Sequence, residues 1–567
     1  MGIQSSIQTT LTPGSLGSQE ILTIAGSVIN SGDVVVNTEA GTIFQASDQL
    51  TIAQNNSSNA NAGPIVITAV ANVVSSNITM NRWPSTVAQL GSGDLAIAYS
   101  GGSTLTVTFR SLSNNVVTFS PITISESVSS YRIRRINRSS FVVAWASGTS
   151  LRFAIYSNDG SVVLSPTTIT SSTQSSEDNS FNVACLNNGN IVFAFQHTSN
   201  SLSYAVYNST GGTVLATTTV ESSASPLDIT VLPQTSGGFI IYYYRSAATA
   251  AWKFARYDES GTIQGSLTTV STTSSGFTVG AIDDNLAIEL RNGNIVFQAT
   301  SSSGWVRLFV YSSTGTLITS NINITQDSTS NGIQSTMLGI CATSFGFAAV
   351  VGGVSASTSN VDTLSTFRFS GLNLTLRVLL PGNPNQNPNV VVSRIFDNGD
   401  AGYTYFKVLH RLNSTSGPTK GDPNTYYAYD TRVLLTSVNT AGSIRGSQIA
   451  LQTNRISSTA QYPNSILTTA YAIVTFDGSI VPIWNSIAGN STFPGLRYAV
   501  YAVIRKSILG IALQSANPGQ SVRVATAGAY IVNQSFTTAN TFDLRTATTL
   551  GTRGSVIRNN LLISGII

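Results

Sequence analysis

The stretch Leu186–Phe195, with the sequence LNNGNIVFAF, decides the fold. It recurs as Leu290–Ala299, LRNGNIVFQA, and a related turn and strand, Thr235–Tyr242, lies between the two. Two further copies, Gly91–Tyr99 and Arg138–Trp145, come before them. Each copy joins the end of one strand, a tight turn and an apolar strand typical of a buried position. Asn-Gly and Gly-Gly supply the positive φ that hairpin turns require.

A second half follows most of these copies along the chain. It is an alternating strand that ends in tyrosine, then a turn with glycine four residues later, then a fourth short strand. The tyrosine and glycine pairs are Tyr156 with Gly160, Tyr207 with Gly211, Tyr257 with Gly261, and Tyr311 with Gly315. One unit therefore holds four antiparallel strands in about 50 residues, which is typical of a β-propeller blade.

Counting the units predicts the size of the ring. Their second strands fall near Leu95, Val142, Ile191, Ile240, Ile295, Ala348, Tyr405 and Ile473. We therefore predict an all-β chain whose body is a propeller of eight blades, with seven as the second choice. Stacked β-sandwiches are the other possibility, and the even period argues against them. A propeller must close its ring, and we predict that Pro64–Val70 supplies the closing strand.

The repeat and its flanks predict three regions. Residues 1–63 form a β-rich attachment segment, residues 64–512 the propeller, and residues 513–567 a small C-terminal β module. The first region contains four acidic residues and no Lys or Arg, whereas residues 501–567 contain six basic residues and one acidic residue. Opposite charges predict a contact between the two ends, or docking onto oppositely charged neighbours. Scattered, solvated charges are the alternative.

The composition excludes several classes of protein. Charged residues make up 9% of the chain, against about 25% in a typical soluble domain. The 28 basic and 24 acidic residues are nearly balanced, which argues against broad nucleic-acid binding. Two cysteines and two histidines are too few for a disulfide framework or a histidine-rich metal site. No apolar stretch has transmembrane length and Met1–Ser6 lacks leader features, so we expect neither membrane insertion nor Sec export.

Signatures of catalysis are absent from the sequence. There is no Gly-x-Ser-x-Gly elbow or P-loop, and Ser157–Gly160 does not match a sialidase Asp-box. A glycosidase needs two facing carboxylates, for which Glu126 and Glu221 are among the candidates. The adjacent pairs Glu177–Asp178 and Asp283–Asp284 would point to opposite faces of a strand, so we expect them to solvate loops. We predict that the chain is not an enzyme and uses no cofactor or metal.

Two groups of side chains are candidates for ligand or interface contacts. Arg132, Arg134 and Arg135, together with Arg138, form a basic cluster. Arginine suits an acidic glycan or a neighbouring subunit, and a solvated blade edge is the alternative. The aromatic candidates are Tyr242, Tyr243, Tyr244, Trp252 and Trp305. Aromatic side chains stack on sugar faces and anchor interfaces, or they pack between blades.

Two parts of the chain resemble known proteins. Residues 508–567 contain GIAL and PGQSVRVATAG, and this segment resembles short β modules of tailed-phage virion and tail-fibre proteins. The repeat NGNIVFAF…YAVYNSTGGTV is similar to propellers of phage appendages and of secreted bacterial repeat proteins. The second likeness implies a propeller fold, and blade periodicity is shared by proteins of many functions.

The resemblance also implies a function and a location. It implies a structural protein of a phage particle, assembled in the host cytoplasm, that acts as a tail or head appendage or fibre component. Its partners would be other virion proteins, including further copies of the chain, and a host-surface glycan or receptor. The alternative is a secreted or surface carbohydrate-binding propeller. A propeller glycoside hydrolase is the third possibility.

Overall fold

The structure of the chain is a computed structural model. It describes residues 20–25, 34–37, 42–45, 65–74, 87–100, 104–112, 116–173, 180–198, 200–247, 249–272, 286–290, 292–300, 306–323, 333–343, 346–355, 364–370, 373–380, 389–397, 403–413, 427–438, 444–458, 470–475, 479–486, 495–502, 508–512, 515, 517, 520–525, 529–535, 553–557 and 560–564. Side-chain environments are described mainly within residues 87–323 and at fewer positions beyond.

The regular elements of the described residues are all strands. The first four are β1 (Glu20–Ala25), β2 (Val34–Asn37), β3 (Thr42–Gln45) and β4 (Ile65–Val74). The next twelve are β5 (Val87–Gln89), β6 (Leu95–Ser100), β7 (Leu105–Arg110), β8 (Ile122–Ile124), β9 (Ser130–Arg135), β10 (Ser140–Ser147), β11 (Ser150–Ser157), β12 (Val162–Thr170), β13 (Phe181–Cys185), β14 (Ile191–Gln196), β15 (Leu202–Tyr207) and β16 (Thr213–Glu221). Twelve more are β17 (Pro226–Pro233), β18 (Phe239–Arg245), β19 (Ala251–Tyr257), β20 (Thr268–Thr272), β21 (Ala287–Glu289), β22 (Ile295–Thr300), β23 (Val306–Tyr311), β24 (Leu317–Asn323), β25 (Ile333–Thr343), β26 (Gly346–Ser355), β27 (Leu364–Ser370) and β28 (Asn373–Leu380).

The remaining strands continue the series. They are β29 (Asn389–Asp397), β30 (Tyr403–Asn413), β31 (Tyr427–Val438), β32 (Ile444–Ser458), β33 (Ala470–Val474), β34 (Ser479–Ser486), β35 (Gly495–Ala502), β36 (Ile508–Ala512), β37 (Ser521–Ala525), β38 (Ala529–Ser535), β39 (Arg553–Ile557) and β40 (Asn560–Ser564). Strands β38, β40 and β39 form a small three-stranded sheet.

Most of these strands form four-stranded antiparallel sheets that follow one another along the chain. Sheets 1 to 7 contain β5–β8, β9–β12, β13–β16, β17–β20, β21–β24, β25–β28 and β29–β32, and sheet 8 contains β33–β35 with β4. The first strand of each sheet lies beside the first strand of the next, from sheet 1 to sheet 8. The fold is therefore a β-propeller. Its blade number, seven or eight, stays a prediction.

The core lies between neighbouring sheets because successive strand residues point to opposite faces. In sheet 3, Ile191 and Phe193 pack toward sheet 2, whereas Val192 and Ala194 pack toward sheet 4. All four side chains are fully buried. Strands buried on both faces need continuous apolar sequence, which explains why LNNGNIVFAF and its copies lack polar alternation.

The repeated turns lie at one end of the sheets, here called the turn side. Between the first and second strands of sheet 3, the Leu186 N–H donates to the Asn190 carbonyl at 2.8 Å. Gln234 and Gly238 in sheet 4 form the same bond at 3.0 Å. The opposite end, here called the loop side, carries the connections between the second and third strands and those between sheets.

In sheets 2 to 5, the glycine of the turn between the third and fourth strands also packs on the preceding sheet. Gly211 of sheet 3 has a φ of +88°, and a Cβ built there would lie 2.3 Å from Leu164 Cδ2 of sheet 2. Gly261 of sheet 4 has a φ of +92°, and its Cβ would lie 2.7 Å from Leu215 Cδ2 of sheet 3. These glycines therefore serve the turn and the spacing between sheets at once.

The closing strand comes from the N-terminal side of the propeller. Strand β4 pairs antiparallel with β35 as the outermost strand of sheet 8, with Ile65 opposite Ala502. Val73 of β4 and Val481 of sheet 8 pack with Val87 and Ile97 of sheet 1. Ile65–Val70 of the predicted closing segment thus pairs with the last sheet of the series. The ring is thus joined by residues more than 400 positions apart in the chain.

The two ends of the chain meet outside the propeller sheets. Strands β1, β3, β2, β36 and β37 pair in a cycle that closes on itself. Glu20 lies opposite Ala525, and Val34 lies opposite Ile511. Strand pairing thus joins the predicted attachment segment and the predicted C-terminal module into one unit. It also takes in Ile508–Ala512, which the sequence boundaries assigned to the propeller.

The contact made by Gly211 predicts a large effect of adding one methyl group. Gly211→Ala should lower the free energy of unfolding by about 2–4 kcal/mol, because left-handed backbone strain and overpacking against Leu164 add together. Gly265→Ala is the matched control, since Gly265 has a φ of +98° and nothing within 4 Å of its built Cβ. Its loss should be about 1–2 kcal/mol. Equal losses in denaturant titrations of the two variants would contradict the packing role of Gly211.

Candidate functional site

The predicted arginine cluster lies at the junction of sheets 2 and 3. Arg132 is 1% exposed, and its Nη1 donates to the Tyr131 carbonyl at 3.1 Å and to Ser130 Oγ at 3.4 Å. Its guanidinium carbon lies 5.2 Å from the ring centroid of Phe181 in sheet 3. Arg132 therefore fills a cation–π contact between sheets rather than a ligand-binding surface.

Arg134 and Arg135 are half-buried beside it. Arg134 Nη1 donates to the Ile133 carbonyl at 3.2 Å. Burial lowers the pKa of Arg135 to about 10. Burial also raises the pKa of the neighbouring Cys185 thiol to about 12, so this cysteine is not a reactive thiolate at neutral pH.

The predicted aromatic group is buried between sheets wherever the structure describes it. Tyr242 and Trp252 stack with ring centroids 5.1 Å apart, and Tyr242 lies 4.7 Å from Phe297 of sheet 5. Tyr243 points the other way and packs toward sheet 3. Tyr242, Tyr243 and Trp252 are fully buried and Tyr244 is 4% exposed. Trp305 lies outside the described residues. Of the two roles open to these aromatics, the structure assigns packing between blades.

A carboxylate clasp links sheets 1 and 2 on the loop side. Glu126 follows β8 of sheet 1 and accepts a hydrogen bond from Trp145 Nε1 of sheet 2 at 2.9 Å. Arg152, the cross-strand partner of Trp145, forms an ion pair with the same carboxylate. The guanidinium carbon of Arg152 also lies 6.0 Å from the Trp145 ring centroid. One carboxylate thus holds two strands of the next sheet.

A second clasp repeats this arrangement between sheets 3 and 4. Glu221 ends β16 and accepts hydrogen bonds from Tyr243 Oη and, at 2.6 Å, from Lys253 Nζ. Tyr243 and Lys253 are cross-strand partners, as Trp145 and Arg152 are in sheet 2. Burial, reinforced by the bond to Glu221, raises the pKa of Tyr243 far above its usual value. The phenol therefore stays a donor across the physiological pH range.

The clasps occupy equivalent positions in the repeat, a signal that sequence reasoning missed. The aromatic donor stands four residues after the first apolar residue of the second strand, Phe141 in one case and Phe239 in the other. The cation stands four residues before the tyrosine that ends the third strand. Glu126 and Glu221 were candidates for a hydrolase pair, and the structure instead places them in separate clasps.

Carboxylates also connect sheets on the turn side. Asn188 of sheet 3 donates through Nδ2 to Glu259 Oε2 of sheet 4 at 3.1 Å. Thr235 of sheet 4 donates to Glu289 of sheet 5 through its backbone N–H at 2.6 Å and through Oγ1 at 2.9 Å. Acidic side chains are scarce in this chain, and these are used to hold neighbouring sheets together.

An open groove of about 530 Å³ lies between the outer parts of sheets 1 and 2. Its lining combines hydroxyl, carboxylate and apolar groups. The lining residues are Ser120, Pro121, Ile122, Thr123, Ile124, Ser125, Glu126, Tyr156, Asp159, Gly160, Ser161, Val162 and Pro166. Asp159 is exposed, and hydrogen bonds led by that from Ser157 Oγ lower the pKa of its carboxyl. The groove therefore offers an ionised acceptor, several hydroxyls and an aliphatic wall.

The groove lies beside an unusually short outer strand. The outer strand of sheet 1 has three residues, whereas β12 and β16 have nine each. The short β8 leaves part of the outer edge of sheet 1 without regular strand. No sequence motif marks the groove, because its shape depends on a missing length of strand rather than on particular side chains.

The described residues contain neither a candidate metal cluster nor a membrane-spanning helix. No group of three or more His, Cys, Asp or Glu side chains in this part of the chain is placed to hold a metal ion. No helix long and apolar enough to cross a membrane occurs there.

Known proteins offer a likeness in shape only. No family model and no curated protein matches the chain. Similar solved structures include a polysaccharide lyase, an ulvan lyase, with 9% identity and a TM-score of 0.38, covering 65% of this chain and 91% of that one. The BP39L lectin from Burkholderia pseudomallei has 11% identity and a TM-score of 0.35, covering 69% and 100%. The WD40 domain of SCAP from fission yeast has 10% identity and a TM-score of 0.39, covering 77% and 98%. Such low similarity carries no argument about function.

The clasp between sheets 3 and 4 predicts a charge-dependent loss of stability. Glu221→Gln keeps the size of the side chain but removes the charge that binds Lys253, so we expect a loss of about 1–3 kcal/mol. Glu259→Gln is the matched control, because Glu259 joins the same two sheets by accepting a hydrogen bond from the neutral side-chain amide of Asn188. Denaturant titrations should show the smaller loss for Glu259→Gln. A Glu221→Gln loss no larger than that of the control would contradict the clasp.

Proposed function

We propose that the chain is a structural protein of a tailed-phage particle, used as a tail or head appendage or fibre component. In this role the propeller contacts the host surface or couples neighbouring virion proteins, and it performs no catalysis. The proposal starts from the sequence likeness of the repeat and of residues 508–567 to such proteins. One structural observation favours a scaffold over an enzyme. It is that glutamate carboxylates bind groups of neighbouring sheets.

Four glutamates of sheets 1 to 5 hold neighbouring sheets together. Glu126 and Glu221 sit in clasps with cations and aromatic donors. Glu259 and Glu289 bind the preceding sheet, and Asp258 accepts the backbone N–H groups of its own turn. A general acid needs a raised pKa and a free face toward substrate. Carboxylates that are engaged in such bonds suit a rigid scaffold better than a hydrolytic centre.

Rigidity and a weakly charged surface both suit display on a particle. Ring closure by β4 ties the first sheet to the last and removes the freedom to splay apart. Several copies on one particle would bind a host surface through many weak contacts, and avidity then replaces high affinity at each site.

Carbohydrate binding is the second candidate function, and the groove favours it. Its hydroxyls and the Asp159 carboxylate can bond to the hydroxyl groups of a neutral sugar, and its proline and isoleucine side chains can cover an apolar sugar face. A glycan is also the receptor class that a phage appendage would meet on a host. The two candidates therefore share this site.

Location on the particle is tested by labelling. Antibodies against the chain should decorate tails, spokes or head appendages of negatively stained particles from a lysate. An unrelated antibody of the same class is the control for non-specific decoration. Label confined to cell surfaces, with unlabelled particles in the same field, would reject the phage role and leave the surface carbohydrate-binding protein.

The groove is tested by filling it. Thr123→Trp places a large ring among the exposed lining residues and should abolish binding on a glycan array. Thr168→Trp is the matched control, since Thr168 is exposed on β12 but does not line the groove. Glycan binding that survives Thr123→Trp would place the sugar site elsewhere on the chain.

A further inference from the structure

The groove between sheets 1 and 2 has a carboxylate at each end. Asp159 lies in the turn that leads into β12, on the turn side, and Glu126 follows β8 on the loop side. The volume of about 530 Å³ between them lies within the range of small-ligand sites. The states of these two carboxylates therefore decide which charge the groove presents to a ligand.

The charge of one carboxylate is balanced and that of the other is not. Glu126 forms an ion pair with Arg152 and also accepts a hydrogen bond from Trp145. No Lys or Arg of the described residues pairs with Asp159. Its Oδ1 accepts hydrogen bonds from the Ser157 hydroxyl and, at 3.0 Å, from the Ser161 N–H. These bonds lower the pKa of the Asp159 carboxyl, so the groove carries one unbalanced negative charge at its turn-side end.

The hairpin turn itself does not require a charge at Asp159. The equivalent residues of sheets 3 to 5, each directly before the turn glycine, carry hydroxyl groups and are Thr210, Ser260 and Thr314. In sheet 5 the Thr316 N–H donates to Ser312 Oγ at 3.0 Å, so the same turn forms without a carboxylate. The repeat therefore does not account for the carboxylate that borders the groove.

A buried hydroxyl and an apolar surface lie beside this carboxylate. Tyr156 lines the groove and is 4% exposed, and its hydroxyl makes no hydrogen bond with the described residues. Burial raises the pKa of Tyr156, so the phenol remains a donor at neutral pH. Val162, which is 60% exposed, and Pro166 supply apolar surface. Pro166 stands at the position of Thr217 in β16 and lacks the N–H that another strand would need, which keeps this edge open to a ligand.

We infer that the groove binds an oligosaccharide with a free amino group, whose ammonium pairs with Asp159 and whose apolar face covers Val162. The inference rests on the proposed carbohydrate-binding role and names the class of sugar that the groove prefers. An acidic sugar would be repelled by Asp159, and a neutral sugar would leave its charge unpaired. The Tyr156 phenol would donate to a ring or hydroxyl oxygen of either sugar, so it adds affinity without distinguishing them.

Isothermal titration calorimetry with two matched ligands tests the inference. The ligands are a β-linked glucosamine oligomer and its fully N-acetylated form of the same length. At low salt the wild type should bind the amino oligomer about fivefold more tightly, as expected for one exposed ion pair. This preference should shrink at high salt. Asp159→Asn should bind both oligomers equally, since it removes the charge but keeps an oxygen acceptor for the turn. Tyr156→Phe should weaken both oligomers alike.

Asp258→Asn is the matched control, because it removes a carboxylate from the equivalent turn of sheet 4, away from the groove. Asn208 accepts the corresponding bond in sheet 3, so this turn tolerates asparagine. The control should keep the fivefold preference.

Three results would overturn the inference. Equal binding of the two oligomers by the wild type would do so while leaving a sugar-binding groove in place. A preference that survives Asp159→Asn, or that disappears in Asp258→Asn, would show that another charge is responsible. Absence of binding to either oligomer would overturn both the inference and the carbohydrate-binding role of the groove.

Discussion

The contact of a turn glycine with the preceding sheet is the constraint on which the spacing of sheets 2 to 5 depends. A side chain at Gly211 or Gly261 would meet a leucine of the sheet before it, and a positive φ at the same residue directs the hairpin. One residue type therefore sets both the hand of the turn and the distance between sheets. The same glycine recurs in sheets 2 to 5 as Gly160, Gly211, Gly261 and Gly315, and each one contacts the sheet before it.

The chain has few charged residues, and several of them bind groups of a neighbouring sheet. A charged side chain between two apolar sheets is stable only when it is paired or stacked. Glu221 meets Lys253 and Tyr243, and Arg132 stacks on Phe181. These contacts add directional bonds to an otherwise non-directional apolar core. Each of these contacts fixes the position of one sheet relative to its neighbour.

Local patterns in the sequence predicted the units and the closing strand, because hairpins involve neighbouring residues and ring closure leaves few segments to choose from. Non-local pairing was not predictable in the same way. Residues 508–512 pair with Val34–Val36, and only the folded ring brings those segments together. The sheet against which Tyr242 or Tyr243 packs could likewise not be predicted. Alternation places the two side chains on opposite faces of the strand, but it does not say which neighbouring sheet each side chain contacts.

The difference between Pro166 and Thr217 bears on how the edges of the ring are managed. The two positions are equivalent in the repeat, so the demands of the blade itself are the same at both. Both outer strands also have register shifts against the third strand of their sheet, and such bulges blunt an edge by themselves. The proline therefore adds protection to β12, the edge that borders the groove.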